Sequence, residues 1–156
     1  MSDLYDTDVL EWSERQAELL RRHAMRQPSN EALDWDNIAE EIEGVGRSEL
    51  NAVQNLLVQA LRHDLKTLAW PCSLHVPHWR SEAVAFRHDA RRRFTPSMRQ
   101  RINVASLFNE ALRELPTTMD GYPPAQDALA LAVVNQPATV DEALEKPADR
   151  PTLSRT

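Results

Sequence analysis

The residues from Asp34 to Trp70, DWDNIAEEIEGVGRSELNAVQNLLVQALRHDLKTLAW, constrain this chain more than any other stretch. They contain no Pro, and apolar residues recur along them at helical spacing. Ile38, Ile42, Val45, Val53, Leu56 and Ala60 fall on one face of a helical wheel, and the stripe then turns toward Leu57, Leu61, Leu65 and Leu68. Unbroken, such a helix is a rod of roughly 50 Å, along which the rest of the chain must pack. Gly44 and Gly46 need a reason, because each costs about 1 kcal/mol relative to Ala in a helix interior. Either the helix breaks between them, or a neighbouring helix comes close. Gly46 lies on the apolar side, so the expectation is a continuous helix with a close approach.

The flanking sequence also reads as helix. Asp8 can cap a helix with Glu11 at its third position, followed by Val9, Trp12, Leu19, Leu20 and Ala24, and Arg21, Arg22 and His23 sit near its C-terminal carbonyls. That helix is expected over 8–26, with a loop at 27–33 and a cap on the central helix from Asp34 or Asp36. After the turn at 71–77 a third helix is expected over 78–94, with Trp79, Ala83, Phe86, Ala90 and Phe94 buried. Thr95-Pro96 then opens a fourth, carrying Met98, Ile102, Ala105, Phe108, Leu112 and Leu115 as far as Pro116. Gly121 is available for a positive φ in the loop at 116–124. Short helices over 125–134 and 140–144 complete an all-α bundle of four main helices with a small C-terminal appendage. A single domain is expected over 5–145, and the tail 146–156 is too poor in apolar residues to pack.

Composition narrows the function classes. The formal charge of −6 disfavours generic binding to nucleic acid or anionic membranes. The charge is uneven: residues 31–49 hold seven acids against one Arg, and residues 78–101 hold seven Arg against two acids. These two segments are expected to face each other. One cysteine, Cys72, excludes an internal disulfide and fits a reducing compartment. No apolar run has the length of a membrane span, and the first residues lack a basic and then apolar leader, so the cytoplasm is the expected location.

In combination, YDTDVLEWSERQAELLR at 5–21, NIAEEIEGVGRSE at 37–49, LLVQALRHDLK at 56–66, HWR at 78–80, TPSMR at 95–99 and, weakly, TVDEAL at 139–144 resemble a bacterial family known as domain of unknown function number twenty-nine. The resemblance implies a compact helical fold and no established activity. TLAWP departs from the family pattern after the central helix, where an aromatic residue and Gln commonly follow the Lys.

Few residues point to chemistry. Glu49 falls between Ile42 and Leu56 on the wheel, where a carboxylate needs a basic neighbour. Arg80 is the first candidate and His63 the second. A buried ion pair fixing helix register is the structural reading of Glu49, and a general base beside an Arg is the catalytic one. Glu40, Glu41, Glu43 and Arg47 read as a solvated face that a partner can use, with Glu43 and Arg47 in the favourable four-residue spacing. No Glu stands three residues before any His, and His75 and His78 flank Pro77, so neither metal nor cofactor is expected. Cys72 is expected to serve packing. Arg87, Arg91, Arg92 and Arg93, with Arg99 and Arg101, form the strongest partner-binding feature. A protein partner or self-association is favoured over nucleic acid, because the helix after Thr95 offers few base-reading side chains. The expected function is a protein-interaction or regulatory module, with a Glu49–Arg80 acid–base enzyme and an arginine-mediated nucleic-acid binder as alternatives.

Overall fold

The computed structural model describes residues 3–26 and 33–145. The expected tail at 146–156, and the expected loop at 27–33 apart from Leu33, lie outside these. Among the described residues the structure is helical, with α1 Leu4–Thr7, α2 Val9–Arg26, α3 Trp35–Ala69, α4 Val76–Arg93, a 3-10 turn Pro96–Gln100, α5 Val104–Arg113, α6 Gln126–Val134 and α7 Val140–Leu144. The chain divides into two compact units, Met1–Val53 with Arg93–Arg101, and Gln54–Arg92 with Ile102–Thr156. The long helix α3 contributes to both.

In the first unit, Asp8 caps α2 by accepting the Glu11 amide at 3.1 Å. It is buried and also holds the 3-10 turn, accepting the Ser97 amide at 2.7 Å and the Ser97 hydroxyl at 2.6 Å. Burial alone would raise its pKa, but the bonds from Ser97 and Glu11 outweigh that and hold the carboxyl below its ordinary value. Asp34 caps α3, accepting the Asn37 amide at 3.2 Å. The helix is unbroken at Gly44 and Gly46.

The buried line of α3 differs from the wheel drawn through its large aliphatics. Ala39, Gly46, Val53 and Ala60, seven residues apart, are all buried, whereas Val45 is exposed. Small residues weigh little on a hydropathy wheel, yet they mark where a neighbour comes nearest. At Gly46 that neighbour is α2: a Cβ would stand 2.1 Å from the Ser13 hydroxyl and 3.1 Å from the Leu10 Cα.

In the second unit α3 and α4 run antiparallel, since Lys66 lies over the Trp79 ring, His63 packs on Phe86 and Asp64 meets Arg87. Pro71 follows the last residues of α3, and Ala69, Trp70, Val76 and Trp79 close the turn as an apolar cluster. The Trp70 indole N–H donates to the Tyr122 carbonyl at 3.0 Å, and the Ala125 amide donates to the Ala69 carbonyl at 2.9 Å. Gly121 has φ 82°, as its turn requires.

The expected fourth helix is two pieces. Thr95-Pro96 opens only the 3-10 turn, and α5 starts afresh at Val104, where Asn103 accepts the Ser106 amide at 3.1 Å. Competition from this second cap, three residues before Ser106, ends the continuity that the apolar spacing suggests. Cys72 is exposed in the turn after α3 rather than packed.

Candidate functional site

Glu49 is half-buried on the shoulder of α3, and its basic neighbour is Arg93, whose Nη1 lies 3.4 Å from the carboxylate. The expected pairing with Arg80 does not form. Arg80 belongs to the second unit, near the start of α4, whereas Arg93 ends that helix within the first unit. Glu49 is displaced from the core because the buried line runs through Gly46 and Val53. His63 is not its partner either. It is buried in the second unit, with Nδ1 2.7 Å from the Gln59 carbonyl.

A carbonyl can only accept, so His63 Nδ1 carries a proton and donates it to Gln59. Burial pushes its pKa below the ordinary value; the Gln59 bond opposes this, and the Lys66 and Arg62 charges add to it. The unfolded chain takes up that proton near 6.5 while the folded chain resists, so His63 removes stability as pH falls through 6.5 toward the folded pKa. Replacing His63 with Gln should therefore flatten the fall in urea midpoint between about pH 7 and pH 5. An unchanged slope would refute this assignment.

The arginine cluster is not one surface. Arg87, expected to bind a partner, is 2% exposed; its Nε donates to the Ala143 carbonyl at 3.0 Å, and its guanidinium grips Asp64 through both terminal nitrogens. It faces inward because α7 packs on this part of α4. Arg91 donates to the Leu144 carbonyl at 2.5 Å, Arg93 serves Glu49 and Arg101 pairs with Glu14. Arg92 is exposed on α4.

The acidic stretch is neutralised largely within its own unit. Arg47 meets Glu40 at 2.6 Å and Glu43 at 3.3 Å, while Arg21 meets Glu43 at 2.7 Å. The Arg21 bond lowers the Glu43 pKa first of all. Glu41 is exposed. The expected facing of acidic and basic segments is thus represented chiefly by Glu49 and Arg93.

Sequence spacing does not reveal the groove of about 1010 Å³ in the second unit. Buried Leu61, Leu65 and Phe108 form its floor, with Leu68 and Val84 left partly open to solvent. Ala132, Asn135 and Gln136 bring α6 and the residues after it to one wall. Asp64 and Arg87 lie in the lining. Burial holds the Asp64 carboxyl above its usual range, and the Arg87 hydrogen bond and charge offset this only in part. Arg80 lies toward one end of the groove, exposed and without an ion-pair partner among the described residues; Glu142 and Glu145 lie by α7. Since α7 contacts α4 at Arg87 and Arg91, seven and eleven residues after Arg80, Arg80 and α7 are separated by roughly 10–16 Å along α4.

Helix α6, QDALALAVV, is apolar on every side after its first two residues, yet only Ala132 is fully buried. Leu131 is 47% exposed, Val133 43% and Val134 80%. A helix that is apolar all round is ordinarily covered. Among the described residues no group of three or more His, Cys, Asp or Glu could hold a metal ion, and no helix is long and apolar enough to cross a membrane.

The family described as domain of unknown function DUF29 matches residues 4–145. A solved alpha-helical protein of unknown function from Rhodospirillum rubrum is 26% identical with a TM-score of 0.72, over 96% of this chain and 94% of that one. No curated protein matches the chain.

Proposed function

Starting from a chain that belongs to the domain of unknown function DUF29 family, we propose that residues 5–145 act as one protein-interaction domain whose groove receives an apolar helical segment of a protein. The carrying observation is α6: a helix apolar after its first two residues that leaves Leu131, Val133 and Val134 exposed beside a groove whose floor exposes Leu68 and Val84. Helix-in-groove recognition uses such surfaces, with a few apolar anchors inside a polar rim. The acid–base alternative is weaker because Glu49 meets Arg93 at a half-exposed position and neither residue lines this groove. The nucleic-acid alternative is weaker because Arg87, Arg91, Arg93 and Arg101 are engaged by other parts of the chain. The single exposed thiol at Cys72 suits a reducing compartment, and the proposal places the domain in the cytoplasm.

The test is the size of the particle in which the chain travels in extracts of its own cells. It should migrate well above its monomer mass of 17.8 kDa and return to that mass when Val84→Glu puts a carboxylate on the groove floor. Migration of the unaltered chain as a monomer would refute the proposal.

A further inference from the structure

We infer that the helix received by this groove is α6 of a second copy of the chain, in a two-fold symmetric dimer. The inference rests on the reading of the groove as a protein-docking face and names its occupant. A two-fold interface requires one patch to carry both the inserting element and the receiving surface, because each copy presents the same residues. This unit carries both: α6 exposes Leu131 and Val134, three residues apart on its outer side, and its inner residue Ala132 lines the groove with Leu68 and Val84.

The charges are self-complementary as well. Arg80 and the α7 carboxylates Glu142 and Glu145 all line the groove but are separated along α4, because α7 meets α4 at Arg87 and Arg91. A two-fold axis through the groove centre lays the positive end of each copy over the negative end of the other. Arg80, which lacks an ion-pair partner among the described residues, then gains Glu145 of the partner copy. Like-charged ends would instead oppose each other if the copies packed in parallel, so the charges also fix the direction of docking.

The size fits. Leu68, Val84, Leu131 and Val134 are 39%, 46%, 47% and 80% exposed, which supplies apolar anchors for the centre of an interface of the standard ~800 Å² per partner. The polar rim and the aliphatic stems of its side chains supply the remainder.

Sedimentation equilibrium of the purified full chain, from low to high micromolar concentration, tests the inference. The expected result is a concentration-dependent species of twice 17.8 kDa. Leu131→Glu and Val134→Glu, both at exposed positions, should each weaken association at least tenfold while leaving unchanged the urea midpoint measured at concentrations where the chain is monomeric. Arg80→Glu should weaken it too, and adding Glu145→Arg should restore it, a rescue that general surface stickiness would not give. If Arg80→Glu altered folding, Val84→Glu, one turn along α4 on the groove floor, would serve in its place. A monomer at every concentration would overturn the inference, as would a dimer indifferent to these changes. A purified monomer that still travels as a larger, Val84-dependent particle in cell extracts would overturn the second-copy occupant and leave the docking groove standing. A monomer in both settings would remove both.

Discussion

Replacing Arg87 with Met should lower the unfolding free energy by about 3–5 kcal/mol, the cost of leaving one buried charge without its partner. The guanidinium is 2% exposed, ties Asp64 on α3 to α4, and holds the Ala143 carbonyl of α7, so its loss affects three helices of the second unit together. Asp64 feels the loss most directly. Burial already holds its carboxyl above the usual carboxylate range, and Arg87 is the first of the groups that offset this. A group whose folded pKa is raised contributes stability below its unfolded value of 3.8 and loses it as pH rises through the folded pKa. Arg87→Met should therefore unfold more readily at neutral pH than near pH 4, where the orphaned Asp64 can keep its proton. The double variant Asp64→Leu with Arg87→Met should recover most of the loss, because a well-packed apolar pair can replace a buried ion pair at little cost. Urea denaturation of the unaltered chain and the two variants at both pH values measures this. An equal loss in the single and double variants would show that Arg87 acts through packing and the Ala143 bond instead.

Gly46→Ala should destabilise the fold by about 2–3 kcal/mol, while Gly44→Ala, on the same helix two residues away, should stabilise it by up to about 1 kcal/mol. A methyl at 46 meets the Ser13 hydroxyl at 2.1 Å, which can rotate, and the Leu10 Cα at 3.1 Å, which cannot without moving α2. A methyl at 44 meets only the far end of Arg47, at 3.8 Å. Opposite signs for one chemical change separate close helix approach from helix propensity. Two losses of equal size would instead indicate that the helix needs flexibility through this stretch. Thermal unfolding of the two variants side by side gives the answer.

These residues also show what was legible in the sequence. The long helix, its continuity, the role of Gly46 and the Asp8 cap follow from spacing and local chemistry, which depend on a few neighbouring residues. A wheel drawn through the large aliphatics puts Glu49 in the apolar stripe, whereas Ala39, Gly46, Val53 and Ala60 define the buried line and leave it on the shoulder. One apolar period runs through Ile102 and Ala105 and hides the break before α5, although Asn103 with Ser106 is a legible cap. Thr139 with Glu142 is another such signal, Thr139 accepting the Glu142 amide and Glu142 accepting that of Ala138. Arg87 with Asp64 and Ala143, and the groove itself, depend on how α7 returns to α4. Nothing local encodes that return.

The groove is best tested by a photoactivatable residue at position 84 of the intact chain in its own cells, with position 41 on the exposed acidic face as control. Irradiation should give a covalent protein adduct from position 84 and none from position 41, and the adduct should disappear when Leu68→Glu is added on the same groove floor. Reaction only with water at position 84, or equal adducts from both positions, would contradict a protein-docking groove.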